Sequence, residues 1–598
     1  MNGHVESTGS IGMWRDVTRT VWLLIIIYPF LYLWQGISYS DEGNALVIYQ
    51  LIFSDPAAIA DTYGVWGTSI IGGAWNLLFG EFGLAGFRVG GAVVSIATFG
   101  LVYLLCRPHL DRMTIGLGVL VGVMYYHHFM TTTLLGYNNL SLFFHLASIL
   151  LLVRGLNANR QGFIFAAAAL IGFNIFVRLP NLLGLFMALA IAWHGWMQGT
   201  PARIQWKQLM IFTIGVVVAV AMSLVMMRAL GHDYYYLRSL EYLFASTGNA
   251  DHGPYGNLIK PVLNGYYHLL FDGLVMLALL LLAVHWTLRM DKYRPRVWLL
   301  PAAGALLFFW YFYDVIGIPL SGRLGSMLVA LCMVVSALYA FMARWRSGPL
   351  GVIGLLLLIQ LVIWPLGSGA GFVNQLYLLP AALPLVVEFM RNVKGIMGET
   401  RFALAGGQDA GGSVVAGSET LHAYRKRALA LLLLFSAVNG FCFSYSDSYN
   451  RPGLRYAVDN QYLNHVYTTH EKAESLNAVI AELGKYVRKG DTLFVAWTAP
   501  LLNYLTETKP YFPHPWSEIY TRDEIERMLL ERGDRRPLPV TVKYGNTGYD
   551  DILEEFLASN AYRRVWSNGE FAVYVPPAED TVSHTGGPLH GGPGRATG

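Results

Sequence analysis

The sequence predicts a polytopic α-helical membrane protein of about thirteen transmembrane helices, with a cytoplasmic N-terminus and a C-terminal extracytoplasmic α/β domain. Three observations predict this class: a shortage of charged residues, a series of long apolar runs, and a change of character near residue 447. Of the 598 residues, 54% are apolar and 13% are charged, whereas an ordinary soluble domain carries about 25% charged residues. A chain so poor in charge is typical of an integral membrane protein, and its mean hydropathy is +0.42.

Charge and cysteine content exclude two other classes of protein. The net charge of +4 is too small to indicate a nucleic-acid partner, and no basic patch interleaved with aromatic residues argues for one. The three cysteines, Cys106, Cys332 and Cys442, lie in or beside apolar segments. Neither a disulfide framework nor a CxxC metal site is therefore present.

The apolar runs are long enough to cross a bilayer. A spanning helix needs about 20 mostly apolar residues, because each residue advances 1.5 Å across ~30 Å of hydrocarbon. No small-residue cleavage site follows the first run, so we expect it to be a retained helix. The thirteen predicted spans are 17–37, 88–106, 113–131, 139–153, 161–178, 180–197, 208–229, 267–288, 297–316, 324–343, 349–366, 376–391 and 428–446.

The distribution of Lys and Arg predicts the orientation of these spans. Segments on the N-terminal side of the membrane carry twenty Lys and Arg residues. The opposite side carries six: Arg88, Arg178, Arg228, Arg238, Lys260 and Arg323. Since positive charge accumulates on the cytoplasmic side, the N-terminus is predicted to lie inside and the part after span 13 outside.

The chain after span 13 reads as an α/β domain. Residues 447–577 are polar and alternate between helical and strand patterns. The predicted helices are 470–488, 499–507, 521–532 and 549–559, and the predicted strands are 491–497, 539–544, 562–567 and 571–576. The predicted organisation is thus a transmembrane module at 1–446 with a long first outer loop at 38–87, the α/β domain at 447–577, and a disordered tail at 578–598.

The first outer loop is acidic. It carries five Asp and Glu residues and no Lys or Arg. Two of them, Asp41 and Glu42, are adjacent where span 1 leaves the bilayer. A partly desolvated carboxylate near water is well placed to act as a general base. The alternative is a solvated helix end with an acidic cap.

Basic residues of the outer face come from other segments. Arg178 stands in Val-Arg-Leu-Pro-Asn between spans 5 and 6, where the proline breaks the helix and holds the cation at a fixed point. Arg238, Lys260 and Arg323 are the other candidates for binding a phosphate. The alternative for each is contact with lipid headgroups or snorkelling. Together, the acidic and basic groups suit a reaction between a hydroxyl nucleophile and a donor whose leaving group is a phosphate.

Aromatic and polar residues of the outer segments are candidates for lining a substrate cavity. Aromatic faces stack on sugar rings and isoprenoid chains, although an aromatic belt at the headgroup level has the same composition. The adjacent histidines at 127–128 do not share a helix face and make a poor metal pair. The predicted cavity residues are Tyr63, Trp66, His128, Asn139, Tyr235 and His252.

The order of elements and two sequence motifs resemble those of a known family of membrane enzymes. The N-terminal part resembles GT-C membrane glycosyltransferases of the protein O-mannosyltransferase and aminoarabinose transferase kind. The resemblance lies in the order of a first helix, the Asp-Glu pair, a long loop and the motif Leu-Phe-Gly-Glu-Phe-Gly-Leu-Ala-Gly-Phe-Arg at 78–88. Asp491-Thr-Leu-Phe-Val-Ala-Trp, followed by Leu502-Asn-Tyr-Leu-Thr-Glu-Thr-Lys-Pro510, looks like the strand-helix-Pro passage of bacterial members. The resemblance covers most of the chain in architecture and residues 38–88 and 491–510 in motif.

The resemblance implies a reaction and a location. A polyprenyl-phosphate sugar donates its sugar to a lipid or glycan acceptor on the outer face of the cytoplasmic (inner) membrane, with inversion. The family's first-loop base corresponds to Asp41, with Glu42 as its supporting neighbour, and the group that grips donor phosphate corresponds to Arg178.

One departure from the family bears on cofactors. Asn138-Asn139 stands where many relatives carry an acidic residue, which leaves fewer hard oxygen ligands. We therefore expect transfer without a metal or other cofactor, with Asp61 and Glu81 as the residues that would complete a Mg²⁺ or Mn²⁺ site. The alternative functions are a transporter or flippase of a lipid-linked sugar, and a polymerase or ligase of surface polysaccharide.

Overall fold

The structure, a computed structural model, describes nine stretches of the membrane part and the C-terminal domain. They are residues 7–126, 133–245, 259–291, 320–342, 348–367, 371–404, 416–442, 451–533 and 536–577. Helices dominate up to residue 442. They are α1 Ser7–Ile27, α2 Asp41–Leu51, α3 Trp66–Phe79, α4 Gly83–Cys106, α5 Arg112–Tyr126, α6 Tyr137–Asn157, α7 Gln161–Val177, α8 Leu189–Met197, α9 Ala202–Ala229, α10 Asp233–Ala245, α11 Ile259–Asp291, α12 Leu320–Phe341, α13 Pro349–Ile363, α14 Leu379–Leu404 and α15 Ala416–Cys442.

The polytopic helical architecture is confirmed. Within the described residues, seven helical segments are long and apolar enough to cross a membrane. They are Tyr63–Cys106, Tyr137–Asn157, Leu179–Met197, Ala202–Ala229, Leu263–His285, Leu324–Phe341 and Pro349–Leu366, and the shorter apolar helices α5 and α7 accompany them. The number thirteen stays a prediction, because the predicted span 297–316 lies outside the described residues.

Two predicted spans begin as tighter helices. The run predicted at 180–197 starts as a 3₁₀ helix, Leu179–Ala188, and becomes α-helical only in α8. The run predicted at 376–391 is likewise preceded by the 3₁₀ helix Gly371–Leu378. In the first case Pro180 occupies the first turn, where its missing N–H has no partner to lose.

Glycines allow two of the bundle helices to pack closely. A Cβ on Gly118 or Gly122 of α5 would lie 2.5 Å from the backbone of Pro384 or Pro380 in α14. These glycines are one helical turn apart and face the same neighbour. Small residues at this spacing permit close contact of helices inside a membrane, where burial from water does not drive association.

The C-terminal part is an α/β domain with one mixed sheet. Its helices are α16 His470–Leu483, α17 Leu501–Leu505, α18 Arg522–Gly533 and α19 Asp550–Ser559. Its strands are β1 Tyr456–Ala457, β2 Tyr467–Thr468, β3 Thr492–Ala496, β4 Lys509–Pro510, β5 Val540–Tyr544, β6 Arg563–Ser567 and β7 Phe571–Val575. The sheet order is β4-β3-β5-β7-β6, with β3 parallel to β4 and β5, and β7 antiparallel to β5 and β6. The helices and strands predicted from the sequence lie close to these bounds, and the predicted tail at 578–598 lies outside the described residues.

The first outer loop and the α/β domain share one hydrophobic core. Buried residues of α2 pack with residues of α16, α17 and the sheet in a single cluster. The Leu501 amide donates to the Tyr39 carbonyl at 3.1 Å, and the Gly36 amide donates to the Tyr467 carbonyl at 2.7 Å. A Cβ on Gly43 would lie 2.3 Å from the Leu501 nitrogen, so only glycine fits there. The domain is therefore fixed directly above the start of α2.

Candidate active site in the first outer loop

A buried ion pair fixes the point at which the chain leaves α1 and enters α2. The Arg88 guanidinium donates to both carboxylate oxygens of Glu42, at 2.9 and 2.8 Å, and both side chains are fully buried. Arg88 also donates to the carbonyls of Leu33, Gln35 and Gly36. A bidentate, fully satisfied pair of this kind has a single geometry. It therefore positions the next residue toward the N-terminus, Asp41.

Asp41 lines a cavity of about 80 Å³ between the first loop, α6 and the C-terminal domain. Most of its exposed wall is apolar, polar side chains supply the remainder, and Trp516 of the C-terminal domain contributes one side. The polar and aromatic lining residues are Asp41, Glu42, Asn44, Tyr49, Thr68, Ser69, Tyr137, Asn138 and Trp516. The carboxylate of Asp41 has no hydrogen-bond or ion-pair partner among the described residues.

Burial changes the acidity of this carboxyl group. It raises the pKa of Asp41 to about 6, and repulsion by the neighbouring Glu42 charge adds to the rise. A carboxylate with a pKa near 6 is ionised at neutral pH and is a stronger base than an ordinary aspartate. The side chain thus combines access to a cavity, freedom from internal partners and a basicity suited to proton abstraction.

Arg178 lies beside the same cavity. Its guanidinium carbon is 5.0 Å from the centre of the Tyr137 ring, and Tyr137 lines the cavity together with Asp41. The charges of Asp41 and Arg178 both act on the Tyr137 hydroxyl. The Arg178 guanidinium has no hydrogen-bond or ion-pair partner among the residues that the structure describes. An anionic and a cationic side chain, each without an ionic partner among the described residues, therefore both lie near Tyr137.

The other predicted cations are placed differently. Arg238 of α10 donates to Asp61 at 2.9 Å, and Tyr520 of the C-terminal domain donates to the second oxygen of Asp61 at 2.8 Å. Arg238 thus belongs to a junction between α10, the first loop and the domain, and its charge is already compensated. Lys260 and Arg323 lie in the first turns of α11 and α12, and their side chains are outside the described residues.

Three predicted cavity residues form an aromatic cluster beside the site. The Trp66 indole donates to His232 Nδ1 at 3.2 Å, and the Tyr63 ring contacts both His232 and Tyr235. Trp66 and Tyr63 are buried, and the structure does not place them or Tyr235 in the wall of the Asp41 cavity. Their rings pack the first loop against the start of α10. His232 has no signal in the sequence that would have singled it out.

The structure places Asn139 in a helix cap. Its side chain accepts from the Gly136 amide at 3.0 Å and donates to the Leu134 carbonyl at 2.6 Å, which closes the turn before α6. The preceding residue, Asn138, lines the cavity in its stead. The predicted cavity residues His128 and His252 lie outside the described residues.

The sequence analysis did not predict the roles of Arg88, Asn44 and Tyr137 at this site. Arg88 was counted as an outer basic residue, although an arginine within an apolar helix is a signal for a buried partner. Asn44 lies one turn after Asp41 on the same helix face and could have been found by that spacing. Its side-chain oxygen is buried without a hydrogen-bond partner. By contrast, Tyr137 reaches the cavity only through the tertiary fold.

Two of the carboxylates near the cavity are already paired with other side chains. Glu42 accepts hydrogen bonds from Arg88, and Asp61 accepts hydrogen bonds from Arg238 and Tyr520. Within the described residues, no group of three or more His, Cys, Asp or Glu side chains is arranged to hold an ion. Asp41 is the one acidic side chain of the described cavity wall that is free to bind a ligand.

Solved structures resemble this chain over nearly its whole length. It is similar to ArnT. ArnT from Cupriavidus metallidurans bound to undecaprenyl phosphate is 12% identical, with 95% of this chain and 98% of that chain covered and a TM-score of 0.48. ArnT in the apo state is 11% identical, with 94% and 98% covered and a TM-score of 0.49.

A second group of similar structures is archaeal. The oligosaccharyltransferase AglB from Archaeoglobus fulgidus, in complex with an inhibitory peptide and a dolichol-phosphate, is 12% identical, with 96% of this chain and 75% of that chain covered and a TM-score of 0.42. No protein-family model and no curated protein matches the chain.

Proposed function

We propose that the protein is a membrane glycosyltransferase that moves a sugar from a polyprenyl-phosphate donor to an acceptor hydroxyl. The proposal rests on two oppositely charged side chains near Tyr137 that have no ionic partner among the described residues. The Asp41 carboxylate, at the start of α2, lines the cavity together with Tyr137. The Arg178 guanidinium, just after α7, stacks on the Tyr137 ring. Undecaprenyl phosphate and dolichol-phosphate, named for the ArnT and AglB structures, belong to the proposed class of donor lipid.

In the proposed reaction Asp41 is the general base. The acceptor oxygen attacks the anomeric carbon of the sugar while its proton passes to the Asp41 carboxylate. The bond between the anomeric carbon and the phosphate oxygen breaks, and the polyprenyl phosphate leaves with the bonding electrons. Attack opposite the leaving group inverts the sugar configuration. A positioned base of this kind supplies about 10²–10⁴-fold in rate.

Arg178 is the proposed phosphate-binding residue. Negative charge grows on the phosphate as the bond breaks, and a fixed cation in a partly desolvated site stabilises that charge more than water does. Arg178 needs no internal partner to be displaced first, because none of the described residues pairs with it. Arg238 would have to leave Asp61 before it could assist.

Trp516 is the proposed acceptor-side contact. Its indole nitrogen donates to Glu518 at 2.8 Å, which holds the ring against the cavity. A fixed indole face is suited to stacking on a sugar ring or another flat apolar group. The C-terminal domain would then complete the site in addition to covering it. The proposed location is the cytoplasmic membrane, with the site and this domain on the outer side.

The proposal is tested with membranes that contain the protein and a radiolabelled polyprenyl-phosphate sugar. We expect label to move to an acceptor with release of polyprenyl phosphate, and Asp41→Asn to lower turnover by at least about 10²-fold while donor binding persists. Asp459→Asn, which alters an exposed aspartate away from the cavity, is the matched control. Solute uptake without covalent transfer would identify a transporter instead, and wild-type turnover by Asp41→Asn would remove Asp41 from the reaction.

A further inference from the structure

A second cavity lies at the end of the helix bundle remote from Asp41. It has a volume of about 300 Å³ and is formed where α4 and α6 end and α7 begins. The opposite ends of the same helices lie at the candidate active site: α6 begins with Tyr137, and α7 ends just before Arg178. At 1.5 Å per residue, the 21 residues of α6 separate the two cavities by about 30 Å, which is the thickness of the hydrocarbon core.

The walls of this cavity are apolar and its rim is basic. Leu104, Leu150 and Phe163 represent the apolar part, and Arg154 and Arg160 represent the rim. No Asp or Glu of the described stretches lines the cavity. Neither guanidinium has a hydrogen-bond or ion-pair partner within the described stretches of the chain. Two uncompensated cations therefore flank an apolar recess at the depth of a membrane interface.

The turn between α6 and α7 holds the two arginines on one rim. The Arg160 amide donates to the Gly155 carbonyl at 2.9 Å, and Gln208 of α9 donates to the Asn159 side chain at 3.2 Å. Asn159 adopts a left-handed backbone conformation with φ of 48°, which asparagine tolerates better than most residues. A Cβ on Gly155 would approach Ile164 to 2.8 Å. The turn thus fixes the backbone spacing of Arg154 and Arg160, whose exposed side chains stand at the rim.

We propose that this cavity binds an anionic phospholipid of the membrane. Its phosphate lies between Arg154 and Arg160, and an acyl chain lies along the apolar wall. The charge of the rim selects an anionic headgroup, since a zwitterionic lipid brings a cation of its own toward the two arginines. The separation from Asp41 places this lipid in the opposite leaflet from the reacting phosphate, so the site is separate from the proposed donor site.

The test measures lipid retention by native mass spectrometry of the purified full-length protein, titrated with phosphatidylglycerol or phosphatidylcholine. We expect the wild type to retain phosphatidylglycerol preferentially. Replacing both arginines, Arg154→Gln with Arg160→Gln, should raise the phosphatidylglycerol concentration needed by about thirtyfold, or about fivefold for each charge. Arg107→Gln is the matched control, because Arg107 is exposed at the same end but stacks on Tyr103 outside the cavity.

A second variant keeps the arginines and fills the recess. Leu104 is half-exposed at the edge of the cavity, so Leu104→Trp should fold and should weaken phosphatidylglycerol retention with both charges in place. Equal retention of the two phospholipids, or unchanged retention by the double arginine variant, would overturn the proposal. Displacement of the lipid by inorganic phosphate at equal concentration would show a free-anion site, and preferential retention of polyprenyl phosphate would show a carrier site. Either result would also overturn it.

Discussion

The raised pKa of Asp41 predicts that Asp41→Asn, the substitution expected to lower turnover, also stabilises the protein. The pKa of this carboxyl group is about 6 in the folded chain, against an ordinary value of 3.8. The difference of about 2 units corresponds to at most ~3 kcal/mol. Because the pKa of Asp41 is raised in the folded chain, the contribution of this carboxyl group to folding stability is fully present below pH 3.8. It is lost as the pH rises through 6. Asn has the same shape as Asp and carries no charge. Asp41→Asn should therefore raise the free energy of unfolding at pH 7.5 by up to this amount.

The assay compares the apparent unfolding free energy of wild type and Asp41→Asn in detergent at pH 7.5 and at the lowest pH that the protein tolerates. We expect Asp41→Asn to be more stable at pH 7.5, by up to ~3 kcal/mol, and the advantage to shrink as the pH falls below 6. Asp61→Asn is the matched comparison, since Asp61 is paired with Arg238 and Tyr520 and its replacement should destabilise the protein. Equal or lower stability of Asp41→Asn at pH 7.5 would refute the assignment of a buried, unpaired carboxylate.

Four further predictions follow from contacts in and around the site. The rate of transfer by the wild type should rise about tenfold between pH 5 and pH 7 and then level off, because Asp41 is about one tenth ionised at pH 5 and about nine tenths ionised at pH 7; a flat profile in initial-rate assays would contradict its role as base. Glu42→Gln should cost about 3–5 kcal/mol by leaving Arg88 buried without a counter-charge, seen as a lower yield of folded protein in membranes, and a normal yield would contradict this. Arg178→Gln should weaken donor binding by roughly 10- to 150-fold, with Arg178→Lys retaining part of it, in a titration with the lipid donor; unchanged affinity would assign the phosphate to another residue. Trp516→Ala should raise the KM for acceptor by roughly 3- to 10-fold with the affinity for donor unchanged, and an unchanged KM would leave the indole as a cover only.

Local patterns predicted much of this molecule. The apolar runs predicted at 88–106, 139–153 and 208–229 are helical and are covered by α4, α6 and α9. The order of the four helices and of strands β3, β5, β6 and β7 in the α/β domain was also predicted, whereas the two-residue strands β1, β2 and β4 are too short to leave a pattern. Helix starts were read less well, since Pro180 and the 3₁₀ turn before α14 change local geometry without changing apolarity.

The site required distances that a sequence does not contain. Asp41 and Arg178 were predicted from their positions at helix ends, yet only the fold shows that both lie near Tyr137. Glu42 and Arg88 are 46 residues apart and form one fully buried pair. Arg238 was predicted to bind phosphate, and its partner Asp61 lies 177 residues away.

The sequence by itself determined the membrane class, the orientation expected from its charges and the identity of the acidic and basic outer segments, because these depend on composition and on runs of neighbouring residues. The tertiary structure decided which charges are neutralised and which stay free. That distinction depends on pairing between distant segments: a charge in contact with an opposite charge stabilises the fold, whereas an unpaired charge beside a cavity remains free to act on a ligand.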